Sequence, residues 1–256
     1  AEAAATRAAP RERRTRGGRG FTATAHGLLS LWTLIILIPF AWTLMSSFKT
    51  SSEILASPFA PPERLSFDNY ARAWSEAGIG SYFFNTVVVV GSALVAVMLL
   101  GSMCAYVLAR YRFPGNRVIY NTMLAAMAFP IFLAIVPLFF VLKGFSLLNT
   151  LPGLTVTYVA FALPFTVFFL HSFFEQLPQE VYEAAQVDGA GEWRTFFQIM
   201  APMATPGLAS VSILNFIGLW NQFMLPIVFN TKRENWVLTQ GMTAFANATG
   251  RAVDYG

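Results

Sequence analysis

Five apolar runs dominate this sequence, and about 20 such residues are enough to cross the hydrocarbon core of a bilayer as a helix. The runs cover residues 27–48, 82–109, 118–142, 153–173 and 206–229. Hydrophobic residues make up 55% of the 256 residues and charged residues only 12%, which is unusual for a soluble domain. The connections are too short to hold a separate soluble domain. The sequence therefore predicts an all-α, polytopic transmembrane helical bundle over residues 26–256.

The basic stretch before the first run indicates its orientation. Six arginines lie within the first 25 residues, among many glycines and alanines: Arg7, Arg11, Arg13, Arg14, Arg16 and Arg19. A tail of this composition is predicted to be disordered, and basic residues beside a span place that side in the cytoplasm. The arginines could also contact nucleic acid, but orientation is the favoured interpretation. The first run is longer than the apolar core of a signal peptide, so we expect it to be retained.

The later connections fit this orientation unevenly. With the N-terminus in the cytoplasm, residues 110–117 are cytoplasmic and carry three arginines and no acid. Residues 174–203 are cytoplasmic by alternation, yet they contain a single base, Arg194. Five acids oppose it: Glu175, Glu180, Glu183, Asp188 and Glu192. Acids contribute little to topology, so this loop is permitted, but topology does not explain its charge.

Residues that serve redox, metal or nucleotide chemistry are scarce. Cys104 is the single cysteine, and with only His26 and His171 it cannot complete a zinc site of four Cys or His ligands. No Gly-Lys dipeptide occurs, so the chain lacks the phosphate loop of the usual ATP site. We expect no metal and no cofactor. His171, at the inner end of the fourth span, could titrate in a gate, but a passive anchor is the favoured interpretation.

The acidic loop has a two-helix pattern of its own. Pro178 suits the first turn of a helix that we expect to stop at Asp188 and Gly189. Its narrow apolar face has small side chains, Val181, Ala184 and Ala185, with Glu180 and Glu183 beside them. A second helix, predicted to end before Pro202 and to lie along the inner membrane surface or under the bundle, has a broader face: Trp193, Phe196, Phe197 and Met200. A well-capped linker is the plain alternative.

The spacing of particular residues within this loop resembles the sequence pattern of a known protein family. Residues 183–202 read EAAQVDGAGEWRTFFQIMAP. They resemble the EAA loop of bacterial ATP-binding-cassette (ABC) importer permeases, whose pattern is EAA, three residues, G, nine residues, I, one residue and LP. The sequence departs from it only at Ala201, where the family has leucine. Three stretches resemble the carbohydrate-uptake branch, related to the second permease of maltose-type and glycerol-phosphate-type systems: FDNYARAW (67–74), VDGAG (187–191) and GLWNQFMLPIVF (218–229).

This resemblance implies a type I ABC importer permease fold in the bacterial inner membrane. The branch has a sixth span, which the sequence does not reach before Gly256, so we expect a C-terminal part to be missing. The implied partners are a cytoplasmic ABC ATPase dimer, a second permease and an extracytoplasmic solute-binding protein, which would contact the external segment 49–81. The substrate would be a sugar or a glycerol phosphodiester. Nucleic acid is not an expected partner.

The resemblance also implies how the loop works. Its short helix would dock in a groove of the ATPase and pass the closing motion to the spans. The residues expected to couple the two are Glu183, Ala184, Ala185, Asp188 and Gly189. Hydrolysis of ATP would take place on the separate subunit, so this chain is not expected to be an enzyme.

Polar side chains in the fifth span mark a candidate substrate path, because polar groups are costly in a membrane. The candidates are Ser212, Asn215, Trp220, Asn221 and Gln222. Ser212, Asn215 and Gln222, at i, i+3 and i+10, are expected to share one helix face. Leu219 interrupts this face. Aromatic rings and amides together suit sugars. Hydrogen bonding between helices is the alternative interpretation.

Three other classes of protein fit this sequence less well. A secondary transporter with a carboxylate relay would carry charge in the middle of a span, where Arg and Glu are absent. An intramembrane enzyme needs a nucleophile with a positioned base or metal ligands, which this sequence does not supply. A membrane scaffold would explain five helices but not the spaced loop.

Overall fold

The computed structural model describes residues 17–75 and 78–249, with side chains from residue 20 to residue 245. Within this part of the chain all regular structure is helical, and the all-α expectation is confirmed. The described residues divide into two compact units, one that extends to Tyr70 and one that begins at Ala71.

The first unit is built on helix α1, Gly17–Ser46. The predicted disordered tail extends to residue 25, whereas the helix already begins at Gly17; residues 1–16 lie outside the described part. Residues 17–25 contain no proline, and extending an existing helix adds one hydrogen bond per residue fixed. Helix α2, Ser51–Ala56, follows a capping box in which Thr50 and Glu53 satisfy each other's backbone N–H groups.

The second unit contains the remaining helices, apart from the first residues of α3. Their bounds are α3 Asp68–Ser75, α4 Ile79–Arg110, α5 Asn116–Ala128, α6 Ile131–Gly144, α7 Leu151–Glu175, α8 Gln179–Val187, α9 Glu192–Arg194, a π-helix Thr195–Met200, α10 Ala201–Met203, α11 Thr205–Trp220, α12 Met224–Phe229, a 3-10 turn Arg233–Asn235 and α13 Leu238–Thr249. Helices α4 and α7 form its centre. They approach closely where Gly101 lies against Thr166, whose Cγ2 would be 2.6 Å from an added Cβ.

Two buried clusters lie along this α4–α7 pair. The cluster nearest α8 includes Tyr106, Phe174 and Met200. The other cluster includes Val89, Tyr158 and Phe229, so α4 and α7 contribute to both. A displacement of α4 would therefore strain both clusters, because close-packed interiors have low compressibility.

The third predicted span, 118–142, is not one helix. Helices α5 and α6 meet at a bend of 107°. The break coincides with Pro130, which lacks a backbone N–H and restricts the residue before it. The sequence reads as one continuous apolar run here, but the structure ends one helix at Ala128 and starts another at Ile131.

The fifth predicted span, 206–229, is also interrupted. Helix α11 ends at Trp220 and α12 begins at Met224. Pro226 cannot donate to the carbonyl of Gln222, and that carbonyl instead accepts a hydrogen bond from the Thr239 hydroxyl at 3.0 Å. An uninterrupted helix would place Gln222 on the same face as Asn215. Because α11 ends at Trp220, Gln222 does not share that face.

By length and composition, three helices of the described residues could cross a membrane: Gly20–Ser46, Ile79–Arg110 and Leu151–Glu175. The number rises to five if each bent pair counts as one span, the second pair being Glu192–Met203 with Thr205–Trp220, at 78°. The chain also continues as helix α13 after residue 229, beyond the last span that the sequence predicted. The Leu238 N–H at its start donates to the Thr86 hydroxyl of α4 at 2.8 Å.

Candidate functional site

The loop helix α8 ends in a Schellman turn. The N–H of Ala190 donates to the Ala185 carbonyl at 2.9 Å, and the N–H of Gly189 donates to the Gln186 carbonyl at 3.1 Å. Gly189 has φ +73°, a left-handed conformation in which a side chain is strained. The predicted stop at Asp188 and Gly189 is confirmed, with Asp188 as the C-cap and Pro178 as the N-cap.

The outer face of α8 is a line of exposed side chains at i, i+3, i+4 and i+7. They are Glu180, Glu183, Ala184 and Val187. Val187 is 87% exposed, which is high for a large apolar residue. This surface combines two carboxylates, one methyl group and one exposed valine, so it can take both a charged and an apolar partner group.

The inner face of α8 packs on its own chain. Ala185 is only 4% exposed, and Ala190, just after the turn, is also buried. Val181 and Tyr182 are half-buried. The sequence grouped Ala184 with Ala185 on one narrow face, but the structure separates them: Ala184 faces outward and Ala185 inward.

Arg110, the last residue of α4, holds the chain where α7 leads into α8. Its Nη2 donates to the carbonyl oxygens of Phe174 and Leu177 at 2.7 and 2.6 Å. Its Nη1 donates to Oε1 of Gln179, the first residue of α8, at 2.9 Å. Sequence reasoning took Arg110 only as a basic residue that orients the span.

Tyr111, next along the chain, reaches the other side of the loop. Its hydroxyl donates to the carboxylate of Glu192, which begins α9, and the hydroxyl of Tyr182 on α8 donates to the same carboxylate at 3.3 Å. Burial raises the pKa of Tyr111 above its usual value, and the hydrogen bond to Glu192 raises that pKa further. Tyr111 therefore stays protonated and keeps donating at physiological pH.

The second loop helix differs from its prediction. It begins as α9, widens into the π-helix and continues through Pro202 as α10, whereas the sequence predicted an end before Pro202. The Ala201 N–H donates to the Phe196 carbonyl five residues back, which is the π pattern. Of the predicted apolar face, Phe196 and Met200 are buried. Trp193 and Phe197 are exposed and stack on each other at 6.0 Å.

An open, mostly apolar cavity of about 390 Å³ lies beside this helix. It is lined by residues of α4 and of the second loop helix, together with Tyr111: Met103, Tyr106, Val107, Tyr111, Glu192, Trp193 and Phe196. No group of three or more His, Cys, Asp or Glu side chains in the described ranges could hold a metal ion.

The candidate substrate-path residues fall into two sets. Asn215 is 6% exposed, and its Nδ2 donates to the Thr166 hydroxyl of α7 at 2.8 Å. Ser212, one turn earlier, is half-buried. At the end of α11, Trp220 lies against Phe83, with ring centres 5.8 Å apart.

The other two candidates lie in the break after α11. Asn221 is exposed, and its Nδ2 donates to the Ile217 carbonyl at 2.8 Å. Gln222 is half-buried, and its Oε1 accepts a hydrogen bond from the Phe223 N–H at 3.1 Å.

Replacing Asn215 with leucine separates packing from substrate contact. We expect Asn215→Leu to leave the uptake KM within about twofold and to lower stability by roughly 0.6 kcal/mol, the average for a hydrogen bond between membrane helices. Thr166→Val removes the same bond from the other side, so the double variant should cost little more than either single one. Unfolding in detergent and initial uptake rates measure both effects. A tenfold rise in KM for Asn215→Leu alone would instead make Asn215 a substrate contact.

A bundle of apolar helices that carries a capped polar helix on a two-helix loop is the architecture expected of the membrane subunit of a transporter. Residues 97–247 match the family described as binding-protein-dependent transport system inner membrane component, and the chain belongs to this family. It is thus a multi-pass membrane permease of the ABC importer class, which works with a separate ATPase and a binding protein. The resemblance read from the loop is confirmed.

Several relatives are named as sugar permeases. The diacetylchitobiose uptake system permease protein of Streptomyces coelicolor is 63% identical over 93% of this chain and 79% of its own length. The trehalose transport system permease protein of Mycobacterium tuberculosis is 32% identical over 85% of this chain and 79% of its own. The melibiose/raffinose/stachyose import permease protein of Bacillus subtilis is 31% identical over 81% and 75%.

A solved structure has the same fold. In the crystal structure of a bacterial ABC transporter involved in the import of the acidic polysaccharide alginate, one chain superposes with a TM-score of 0.78. The alignment covers 93% of this chain and 87% of that one, at 22% sequence identity. The expected importer-permease fold is thereby confirmed.

Proposed function

We propose that this chain is the permease subunit of an ATP-driven importer for a small oligosaccharide, and that diacetylchitobiose is the first substrate to test. The supporting observation for the substrate is the relative named for diacetylchitobiose uptake, which is 63% identical over nearly the whole chain. Relatives named for other sugars are only about half as identical.

The outer face of α8 is the proposed contact for the ATPase. Glu183 and Ala184 lie on it with Glu180 and Val187, while Asp188 and Gly189 form the turn that ends the helix. In this proposal Ala185 acts from inside, because its buried methyl group lets α8 lie close to its own chain. Such a surface suits a groove with a basic rim and an apolar floor.

The orientation and the full set of partners belong to the proposal as well. We place the N-terminus and the α8 loop in the cytoplasm, with a second permease beside this chain and an ATPase pair below. The solute-binding protein would approach the opposite side, at segment 49–81. The three arginines among residues 110–117, at the loop end of α4, support this orientation.

The sugar contact is proposed at the end of α11. Asn221 is exposed there, and Trp220 offers an aromatic ring nearby. An amide beside an aromatic ring provides directional hydrogen bonds and a flat apolar surface, which together suit a pyranose. Asn215 is assigned to helix packing, because its amide bonds Thr166.

The test is uptake into proteoliposomes that contain this permease, its partner permease and the ATPase, with the binding protein outside. We expect labelled diacetylchitobiose to accumulate only with ATP inside, and excess unlabelled diacetylchitobiose to compete much better than trehalose. Liposomes without ATP, with and without an ionophore, are the controls. Accumulation that needs an ion gradient but no ATP would identify a secondary transporter. Equal competition by trehalose would exclude specificity for diacetylchitobiose.

A further inference from the structure

Two adjacent residues at the end of α4 hold helix α8 from both sides. Arg110 reaches the start of α8, and Tyr111 reaches Glu192 beyond its end. We infer that Arg110 and Tyr111 form a clamp, here called the α4 clamp, which makes α8 move with α4. The two are thus positioning residues for transport. This inference rests on the proposed function, since it assumes that α8 is the helix driven by the ATPase.

The Arg110 arm depends on the shape of the guanidinium group. One planar group bonds the Phe174 carbonyl in the last turn of α7, the Leu177 carbonyl in the link to α8 and the Gln179 amide oxygen on α8, at 2.7, 2.6 and 2.9 Å. The Phe174 carbonyl lies in the last turn of α7, where the helix carries its partial negative charge, so a cation there is favoured. A lysine keeps the charge but has no flat fork to span three acceptors. The clamp therefore requires arginine in particular.

The Tyr111 arm closes the loop on the other side. The carboxylate of Glu192 accepts hydrogen bonds from Tyr111 after α4 and from Tyr182 on α8. The two tyrosine rings also meet edge to face, 6.2 Å apart. A single carboxylate thus joins α4, α8 and α9, and α8 is tied near its start by Gln179 and in its middle by Tyr182.

Without the clamp, α8 would be joined to the rest of the unit by its two connections and by the packing of its inner face around Ala185. Residues 176–178 link it to α7, and residues 188–191 link it to α9. A push on the outer face could then be absorbed by rotation at these connections, which are loop positions of the kind that serve as hinges. With the clamp, the same push reaches α4, which contributes to both buried clusters of the unit. The clamp therefore converts docking into movement of the spans.

The decisive measurement is the number of sugars taken up per ATP hydrolysed in the reconstituted complex. We expect Arg110→Gln to leave ATPase co-purification and hydrolysis largely intact but to lower uptake per ATP by about tenfold, and Arg110→Lys by about threefold, within the range for residues that carry coupling. Tyr111→Phe keeps its ring contacts and should lower it by about threefold. The matched control is Arg112→Gln, an exposed arginine two positions on, which should match wild type.

If Arg110→Gln does not fold, Gln179→Leu tests the same contact from the α8 side. It removes the bond to α8 and leaves the bonds from Arg110 to the Phe174 and Leu177 carbonyls intact. We expect uptake per ATP to fall by about threefold. An unchanged ratio in Gln179→Leu, or a parallel fall of uptake and hydrolysis in the folded variants, overturns the clamp. A wild-type permease that retains no ATPase overturns the proposed function instead.

Discussion

Reversing one charge on the outer face of α8 is expected to remove the ATPase from the purified complex. In Glu183→Arg, an exposed carboxylate at the centre of the proposed docking face becomes a cation. Disrupting a charge pair that is buried at an interface typically costs about 2–5 kcal/mol, and 2 kcal/mol is already about thirtyfold in affinity. Repulsion by a basic partner adds to this loss. ATP-dependent uptake should fall to background with the lost subunit.

The matched control for this result is Glu175→Arg. Glu175 ends α7, four residues before α8 begins, and its side chain is 70% exposed. The charge change is the same, but the residue lies outside the docking face, so the ATPase should co-purify at the wild-type level. Quantitative pull-down from detergent, with circular dichroism to confirm folding, makes the comparison. Equal retention of the ATPase in both variants would mean that α8 is not the docking helix.

The start and end of α8 could be predicted because local residues set them. Pro178 at its start and Gly189 after its end act within a few residues, and a left-handed position strongly favours glycine. The separation of Ala184 from Ala185 could not be predicted in the same way. Adjacent residues on a helix point about 100° apart, and only the packing of Tyr182 and Ala185 on the chain shows which side is inward.

The α4 clamp could not be predicted from the sequence, for a different reason. The basic run after the second span has a sufficient local explanation in membrane orientation, so nothing in it suggested a further role. The partners of Arg110 are 64, 67 and 69 residues away in the chain. A run of Arg-Tyr-Arg at the end of a span, facing an acidic loop, is the signal that could have prompted the question.

The interrupted spans show where hydropathy stops being informative. Both breaks occur in stretches that read as continuous apolar runs, and each stretch contains a proline close to its break, Pro130 or Pro226. What decides the outcome is whether another group can replace the lost hydrogen bond. Thr239 does this for the Gln222 carbonyl, and it lies beyond the last apolar run of the sequence, 17 residues further along the chain.

The largest loss of stability is expected from a single methyl group at the start of α7. Gly153 lies under the preceding turn, where a Cβ would overlap the carbonyl oxygen of Leu147 and come within 3.0 Å of the Thr150 hydroxyl oxygen. That hydroxyl caps the helix, since it accepts from the Gly153 N–H and donates to the same carbonyl. Backbone cannot swing aside as a side chain does, so Gly153→Ala should cost about 3 kcal/mol or more, at the upper end for overpacking.

Gly91→Ala is the matched control for this substitution. Gly91 lies in α4 with no heavy atom within 4 Å of an added Cβ, and alanine in a helix is better than glycine by about 0.5–1 kcal/mol. The two variants should therefore change stability in opposite directions for the same added methyl. Thermal unfolding in detergent, followed by size-exclusion chromatography, measures both. If Gly153→Ala unfolds at the same temperature as Gly91→Ala, the turn between α6 and α7 yields at little cost, and the cap does not fix the start of α7.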